Sequence, residues 1–105
     1  MNDPIVQRFF KQCQSLGEKL RAVYVFGSRV KGTARPDSEY DLLLVVSDKF
    51  SLDDKNSLYD TGMDILLETG RLVSLKIFTE QAFQRLRDMA TPFITHVLTE
   101  GVKLG

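Results

Sequence analysis

Apolar residues recur at intervals of three or four through the first twenty residues of the chain. This spacing predicts an amphipathic helix from about Asp3 to Leu20, because residues three and four apart share one helix face. Asp3 is a suitable N-cap, and Pro4 fits the first turn. The recurring apolar positions are Ile5, Phe9, Cys13, Leu16 and Leu20.

Three shorter runs of mainly apolar residues predict strands over residues 22–26, 39–46 and 73–78. Hydroxyl residues before helical stretches predict three more helices. These begin after Ser51, Thr79 and Thr91 and end near Glu68, Met89 and Glu100. The chain is therefore predicted to be of the α/β (α+β) class. We expect a small mixed sheet of about three to four strands, with helices packed on it.

Composition narrows the class of protein. The 105 residues suit a single domain over residues 1–105. Lys plus Arg and Asp plus Glu both number 14, so net charge gives no general attraction to nucleic acid or to an acidic membrane. The single cysteine, Cys13, excludes an internal disulfide and is expected to be a small buried hydrophobe. No apolar run approaches a membrane span, and no signal peptide is evident, so we expect a cytoplasmic protein.

Glu39 and Asp41 lie one residue apart where the second strand is predicted to begin. Side chains alternate across a strand, so both carboxylates should point to the same side. Two like charges at that spacing repel, and one would take up a proton unless a cation lies between them. Hard divalent cations such as Mg²⁺ bind oxygen ligands of this kind. The pair therefore indicates a metal site, although acids at a strand end are more often simply solvated.

The turn before these acids has the features of a phosphate-binding loop. Gly27 lets the backbone turn sharply and approach a ligand closely. Ser28 is a good N-cap for a short helical turn over residues 29–31, whose free amides would bind phosphate. Arg29 and Lys31 add positive charge to the same loop. A nucleoside triphosphate with Mg²⁺ requires both an anion cradle and a cation site, whereas either half alone would more often be structural.

Taken together, this stretch resembles the signature of the nucleotidyltransferase superfamily with the DNA polymerase beta-like fold, and most closely its minimal nucleotidyltransferase branch. The resemblance rests on Gly27-Ser28-Arg29, on Gly32 and on residues 37–45, DSEYDLLLV. It implies that Gly27 and Ser28 grip the triphosphate, with Arg29 and Lys31 nearby. It also implies that Glu39 and Asp41 are catalytic residues that hold Mg²⁺ or Mn²⁺. The family usually has Asp at the first of these two acids, so Glu39 is a departure.

The implied reaction transfers a nucleoside monophosphate, with AMP as the expected group, to a hydroxyl of a protein or nucleic acid. Active members of the family carry a third acid on the neighbouring strand. The matching position here is Ser74, which has no charge at neutral pH. Lys76 shares the side of Ser74 by alternation and would compete with a metal for the carboxylates. Asp64 or Glu68, on the preceding helix, would replace the third acid, or else both are solvated helix acids.

Three functions are open at this point. The chain is a nucleotidyltransferase, or it is a weak or inactive relative, or it is a sensor that binds the triphosphate without transfer. The resemblance implies, for the second function, the antitoxin half of a toxin–antitoxin pair with a helical HEPN-type partner chain. Since so short a chain lacks a domain to hold an acceptor, that partner or a second copy in a homodimer is expected to complete the site.

Overall fold

A mixed four-stranded sheet with strand order β3-β2-β1-β4 lies at the centre of the part of the chain that the structure describes. The structure is a computed structural model, and it describes residues 3–27 and 39–104. The strands are β1 (Leu20–Phe26), β2 (Tyr40–Val46), β3 (Val73–Thr79) and β4 (Val102–Lys103). The helices are α1 (Pro4–Gln14), α2 (Leu52–Thr69), α3 (Glu80–Met89) and α4 (Pro92–Glu100), with a 3₁₀ turn at Gly17–Lys19.

The predicted α/β (α+β) class, with a small mixed sheet and packed helices, is confirmed. Strand β1 runs antiparallel to both of its neighbours, β2 and β4, whereas β3 runs parallel to β2. The parallel connection passes through α2, as a parallel pair requires a crossover segment. The two-residue strand β4 was not predicted as a separate element, because so short a strand has no measurable alternation.

The first helix is shorter than its apolar spacing predicts. Asp3 caps it as expected, since its Oδ1 accepts a hydrogen bond from the Ile5 amide at 2.9 Å. The prediction that the helix continues to Leu20 is wrong. The helix ends at Gln14, and Gly17 follows with a positive φ of 59°. Leu20 is therefore the first residue of β1 rather than the last of a helix.

The later helix boundaries follow the predicted caps. Ser51 and Asp54 form a capping box at the start of α2, with each side chain accepting from the other residue's amide. Gly70, at a φ of 74°, ends the same helix. The hydroxyl groups of Thr79 and Thr91 accept amide hydrogen bonds at the starts of α3 and α4. Among residues 3–27 and 39–104, no helix is both long and apolar enough to cross a membrane.

Two apolar clusters cover the two faces of the sheet. Helices α1 and α2 pack on one face through residues that include Phe9 and Ile65. Helices α3 and α4 pack on the other face through Phe83 and Val97. Strand β2 lies between two strands and is covered on both faces, so its residues from Leu42 to Val46 are all buried. This explains the nearly continuous apolar run that follows Asp41.

Candidate active site

Asp41 lies near the start of β2, with a strand on each side. Its register partners are Phe26 at the end of β1 and Ser74 near the start of β3. By strand alternation Asp41 belongs to the face of Leu43 and Val45, which α3 and α4 cover further along the strand. The Asp41 side chain is partly buried rather than fully solvated. The sequence thus folds a charged group into the edge of an apolar cluster.

Gly27 approaches this carboxylate closely. It follows β1 directly and has a positive φ of 87°, a conformation that glycine adopts without strain. A Cβ atom at this position would lie 2.7 Å from Asp41 Oδ2. Glycine therefore lets the turn backbone and the carboxylate approach each other closely. The other residues predicted for the phosphate cradle, Ser28, Arg29 and Lys31, lie outside the described residues.

The pKa of Asp41 is raised above its ordinary value of 3.8, first because burial removes water from the carboxylate and second because Glu39 is negative nearby. The positive charge of Lys76 acts in the opposite direction on the same pKa. Glu39 itself precedes β2 and is exposed to solvent. Glu39 and Lys76 thus both act electrostatically on Asp41, so all three charges belong to one region of the surface.

Ser74 occupies the neighbouring position to Asp41 across the parallel β2–β3 pair. Lys76 lies two residues further along β3, next to Leu43, so it shares the face of Asp41 and Ser74. Ser74 is half-buried and Lys76 is exposed. The sheet register therefore places a neutral hydroxyl beside the partly buried carboxylate, and a cation at the next position on the same face.

The two helix acids considered as substitutes for a third acid lie elsewhere. Asp64 and Glu68 belong to α2, which packs on the sheet face opposite to Asp41. Glu68 forms an ion pair with Arg8 of α1, and the hydrogen bond from Arg8 lowers the pKa of Glu68. Asp64 is exposed on the same helix and lies near enough to Arg8 to raise the pKa of that guanidinium. Both are solvated helix acids.

The donor set suits a metal ion that arrives with phosphate oxygens. Within the described ranges, no group of three or more His, Cys, Asp or Glu side chains is arranged to hold an ion. Glu39 and Asp41 supply two carboxylates, and Mg²⁺ is often bound by one or two carboxylates together with substrate phosphates. These residues therefore fit a Mg²⁺ ion bound jointly with a nucleotide, rather than an ion caged by protein alone.

An aromatic pair lies next to Asp41 in the sheet register, and it was not predicted from the sequence. The rings of Phe26 and Phe93 meet edge to face, with centroids 5.7 Å apart. Phe26 is the β1 partner of Asp41, and Phe93 lies in the first turn of α4 and is 37% exposed. The alternation of β1 places Phe26 on the Asp41 face, but its contact with Phe93 depends on tertiary packing.

The sequence and the fold were compared with those of known proteins. Residues 8–104 match the family model described as Polymerase beta, Nucleotidyltransferase. Among curated proteins, none matches the chain.

Solved structures with a similar fold include a toxin-antitoxin crystallised with AMP-PNP (TM-score 0.64, 21% identity, 94% of this chain and 71% of that chain). A mutant of the toxin-antitoxin MntA-HpeT is similar at a TM-score of 0.62, with 21% identity over 95% of this chain and 71% of that one. A protein from Sulfolobus solfataricus gives a TM-score of 0.51, with 20% identity over 94% of this chain and 75% of that chain. At these identities the likeness concerns the fold.

Proposed function

Because the chain belongs to the Polymerase beta nucleotidyltransferase family, we propose that it binds a nucleoside triphosphate with Mg²⁺ or Mn²⁺ and transfers the nucleoside monophosphate. AMP is the expected group, and the acceptor is a hydroxyl of a protein or nucleic acid. The observation that carries this proposal is the close approach of Gly27 to Asp41, where a Cβ atom would lie 2.7 Å from Oδ2. A phosphate-binding turn and a metal-binding carboxylate need this proximity to act on one ligand.

Each residue has a separate task in this proposal. Gly27 and Ser28 hold the triphosphate, and the charges of Arg29 and Lys31 attract it. Glu39 and Asp41 together hold the metal ion. When bound, the metal ion stabilises negative charge on the attacking and leaving oxygens.

In the transfer step, the acceptor oxygen forms a bond to the α-phosphorus while the bond from that phosphorus to the bridging oxygen breaks. Pyrophosphate leaves with the bonding electron pair, and the hydroxyl proton passes to solvent. Catalysis by this chain is then mainly positioning of the α-phosphate between the turn and the two carboxylates.

The alternative function is binding without efficient transfer, as the antitoxin partner of a HEPN-type toxin. The neutral Ser74 beside Asp41 favours this alternative, because a hydroxyl cannot replace a carboxylate as an anionic metal ligand or a base. The two toxin-antitoxin structures compared above share this fold, and one of them contains AMP-PNP. A partner chain, or a second copy in a homodimer, would then supply the surface that the acceptor or target requires.

Label transfer from ATP tests the enzyme proposal. The chain is incubated with ATP labelled at the α-phosphate, Mg²⁺ and candidate protein or RNA acceptors. We expect label on an acceptor with the wild-type chain and a loss of at least about 100-fold with Asp41→Asn, because a positioned metal contributes several kcal/mol to the barrier. Asp64→Asn, on the opposite sheet face, should transfer normally. Equal labelling by wild type and Asp41→Asn would reject the enzyme proposal.

Calorimetry and co-purification separate the alternatives. Binding of ATP with Mg²⁺ but no label transfer to any acceptor would favour the binding role, as an antitoxin or as a nucleotide sensor. Co-expression with the product of the adjacent gene, followed by co-purification, tests whether that protein is the partner chain. A stable complex supports the antitoxin role, and a chain that stays monomeric in its presence counts against it.

A further inference from the structure

We propose that the ammonium group of Lys76 takes the place of a second divalent cation in this site, so that the chain binds a nucleoside triphosphate with one metal ion. The inference rests on the proposed nucleotide binding and deepens it, since it names the positive groups that accompany the ligand. It starts from the register of β2 and β3, which determines what stands beside Asp41.

The first step concerns Ser74, the uncharged neighbour of Asp41 on β3. Ser74 is the direct partner of Asp41 across the parallel pair, so the strand position beside Asp41 carries a hydroxyl rather than a further carboxylate. The described residues contain no third His, Cys, Asp or Glu that joins Glu39 and Asp41 in a metal-binding group. Two carboxylates suffice for one Mg²⁺ shared with phosphates. The protein oxygens needed for a second ion are missing from this part of the chain.

The second step is the position of Lys76. It shares a face with Ser74, and its exposed side chain leaves the sheet on the side of Asp41. The register places Lys76 beside Leu43, one same-face position along from the Asp41–Ser74 pair. Among the ion pairs of the described residues, which involve Arg8, Lys19, Arg21 and His96, none includes Lys76. Its ammonium is therefore available for a ligand.

The third step is electrostatic exclusion. The ions of a two-metal site lie about 3.5–4 Å apart and are clamped by shared acidic ligands. A lysine ammonium on the same small face repels a second divalent ion at short range. It also offers three donors to phosphate oxygens. Lys76 would thus neutralise part of the triphosphate charge itself and make a second metal ion unfavourable.

The test counts metal ions rather than turnover. The chain is saturated with α,β-methylene-ATP, titrated with Mn²⁺, and the free Mn²⁺ is measured by electron paramagnetic resonance. We expect one Mn²⁺ per bound nucleotide with the wild-type chain, against two in a two-metal site. The double variant Ser74→Asp/Lys76→Met should bind a second Mn²⁺, because it gains a carboxylate and loses the competing cation. Two ions in the wild-type complex would overturn the inference.

The affinity for the same analogue gives an independent measurement. Lys76→Met should weaken binding by about tenfold or more, because a charge-assisted contact to phosphate is lost. Lys11→Met, an exposed lysine on the opposite face, should bind as the wild type does. An unchanged affinity with Lys76→Met would also overturn the inference, and this exposed variant remains decisive if the double variant does not fold. No binding of the analogue by the wild-type chain would reject the proposed function as well, whereas a count of two ions rejects only the role of Lys76.

Discussion

Residue 27 and the carboxylate of Asp41 are so close that only glycine fits between the turn backbone and the strand without displacing a side chain. A Cβ atom on residue 27 would lie 2.7 Å from Asp41 Oδ2, and the two atoms next nearest to it also belong to Asp41. The affected oxygen is at the end of a side chain that can rotate. A larger residue at position 27 would therefore move the proposed metal ligand rather than the core.

This relationship predicts a specific effect of Gly27→Ala. Alanine at a positive φ is strained, so we expect a loss of about 1–2 kcal/mol in the free energy of unfolding, measured in urea. Gly70→Ala is the matched control, since Gly70 has a similar φ of 74° but a Cβ atom there would meet nothing within 4 Å. Both variants should lose comparable stability, but only Gly27→Ala should lose affinity for ATP with Mg²⁺ in calorimetry. Equal affinities would show that the Asp41 carboxylate has no part in binding.

The charge coupling of Glu39 and Asp41 predicts a pKa change. Glu39 raises the pKa of Asp41, so Glu39→Gln should lower it. The measurement is a carbon-13 NMR titration of the Asp41 carboxyl in both proteins. Lys76→Met should shift the pKa of Asp41 in the opposite direction, because the cation that lowers it is removed. A titration unaffected by both substitutions would mean that the three charges do not share one site.

The same raised pKa sets the pH dependence of stability. The folded chain holds the Asp41 proton more tightly than the unfolded chain. Protonated Asp41 therefore contributes its full stabilisation below the unfolded-state pKa of about 3.8, and this stabilisation is lost as pH rises through the folded-state pKa. Asp41→Asn should therefore be more stable than wild type at neutral pH, with the difference closing below pH 3.8. Urea unfolding across this range measures it.

For Glu68 we expect stability to depend on pH in the opposite direction. Its pKa is lowered by Arg8, so its contribution is present above its ordinary value of 4.5 and is lost as pH falls through the folded value. Glu68→Gln should accordingly remove a stabilising effect at neutral pH. Parallel pH profiles for the Asp41 and Glu68 variants would contradict the burial assigned to Asp41.

Local sequence signals were sufficient for most of the elements and for the family. The caps at Ser51, Thr79 and Thr91 begin helices as predicted, because each capping hydrogen bond joins residues only three apart. The predicted membership of the polymerase beta-like superfamily is confirmed by the match over residues 8–104. The joint spacing of Gly27-Ser28 and of Glu39 and Asp41, at the start of an apolar strand, carried that information.

Contacts between elements distant in the sequence could not be predicted from local patterns. The apolar spacing of the first helix continues to Leu20, but the helix ends at Gln14. Gly17 follows with a positive φ, and Leu20 pairs in the sheet as the first residue of β1. Whether Asp64 or Glu68 reaches Asp41 depends on which sheet face α2 covers, and no local pattern encodes that choice. Sequence periodicity gives the face of a residue within its own element, but not the neighbour that the face meets.

Burial of Cys13 predicts an unreactive thiol. Removal from water raises the pKa of Cys13 to about 12, so almost no thiolate is present at neutral pH. Iodoacetamide at pH 8 should leave the folded chain unmodified and should alkylate it rapidly in urea, as mass spectrometry would show. Rapid alkylation without urea would mean that α1 opens readily from the sheet. Cys13→Ser, which buries a hydroxyl in the same cluster, should cost about 1–3 kcal/mol.

Tyr40 lies between the two acids and connects the start of β2 to the start of α1. Its buried hydroxyl donates to Asp3 Oδ2 at 2.7 Å, while Asp3 Oδ1 caps α1. Tyr40→Phe should cost about 1.5–3 kcal/mol in urea unfolding, because the hydrogen bond reaches a charged acceptor. Asp3→Ala removes the same bond together with the cap. In a double-mutant cycle, Tyr40→Phe should therefore cost clearly less in the Asp3→Ala background. Additive losses would contradict this coupling, and with it the idea that α1 helps to fix the strand that carries Asp41.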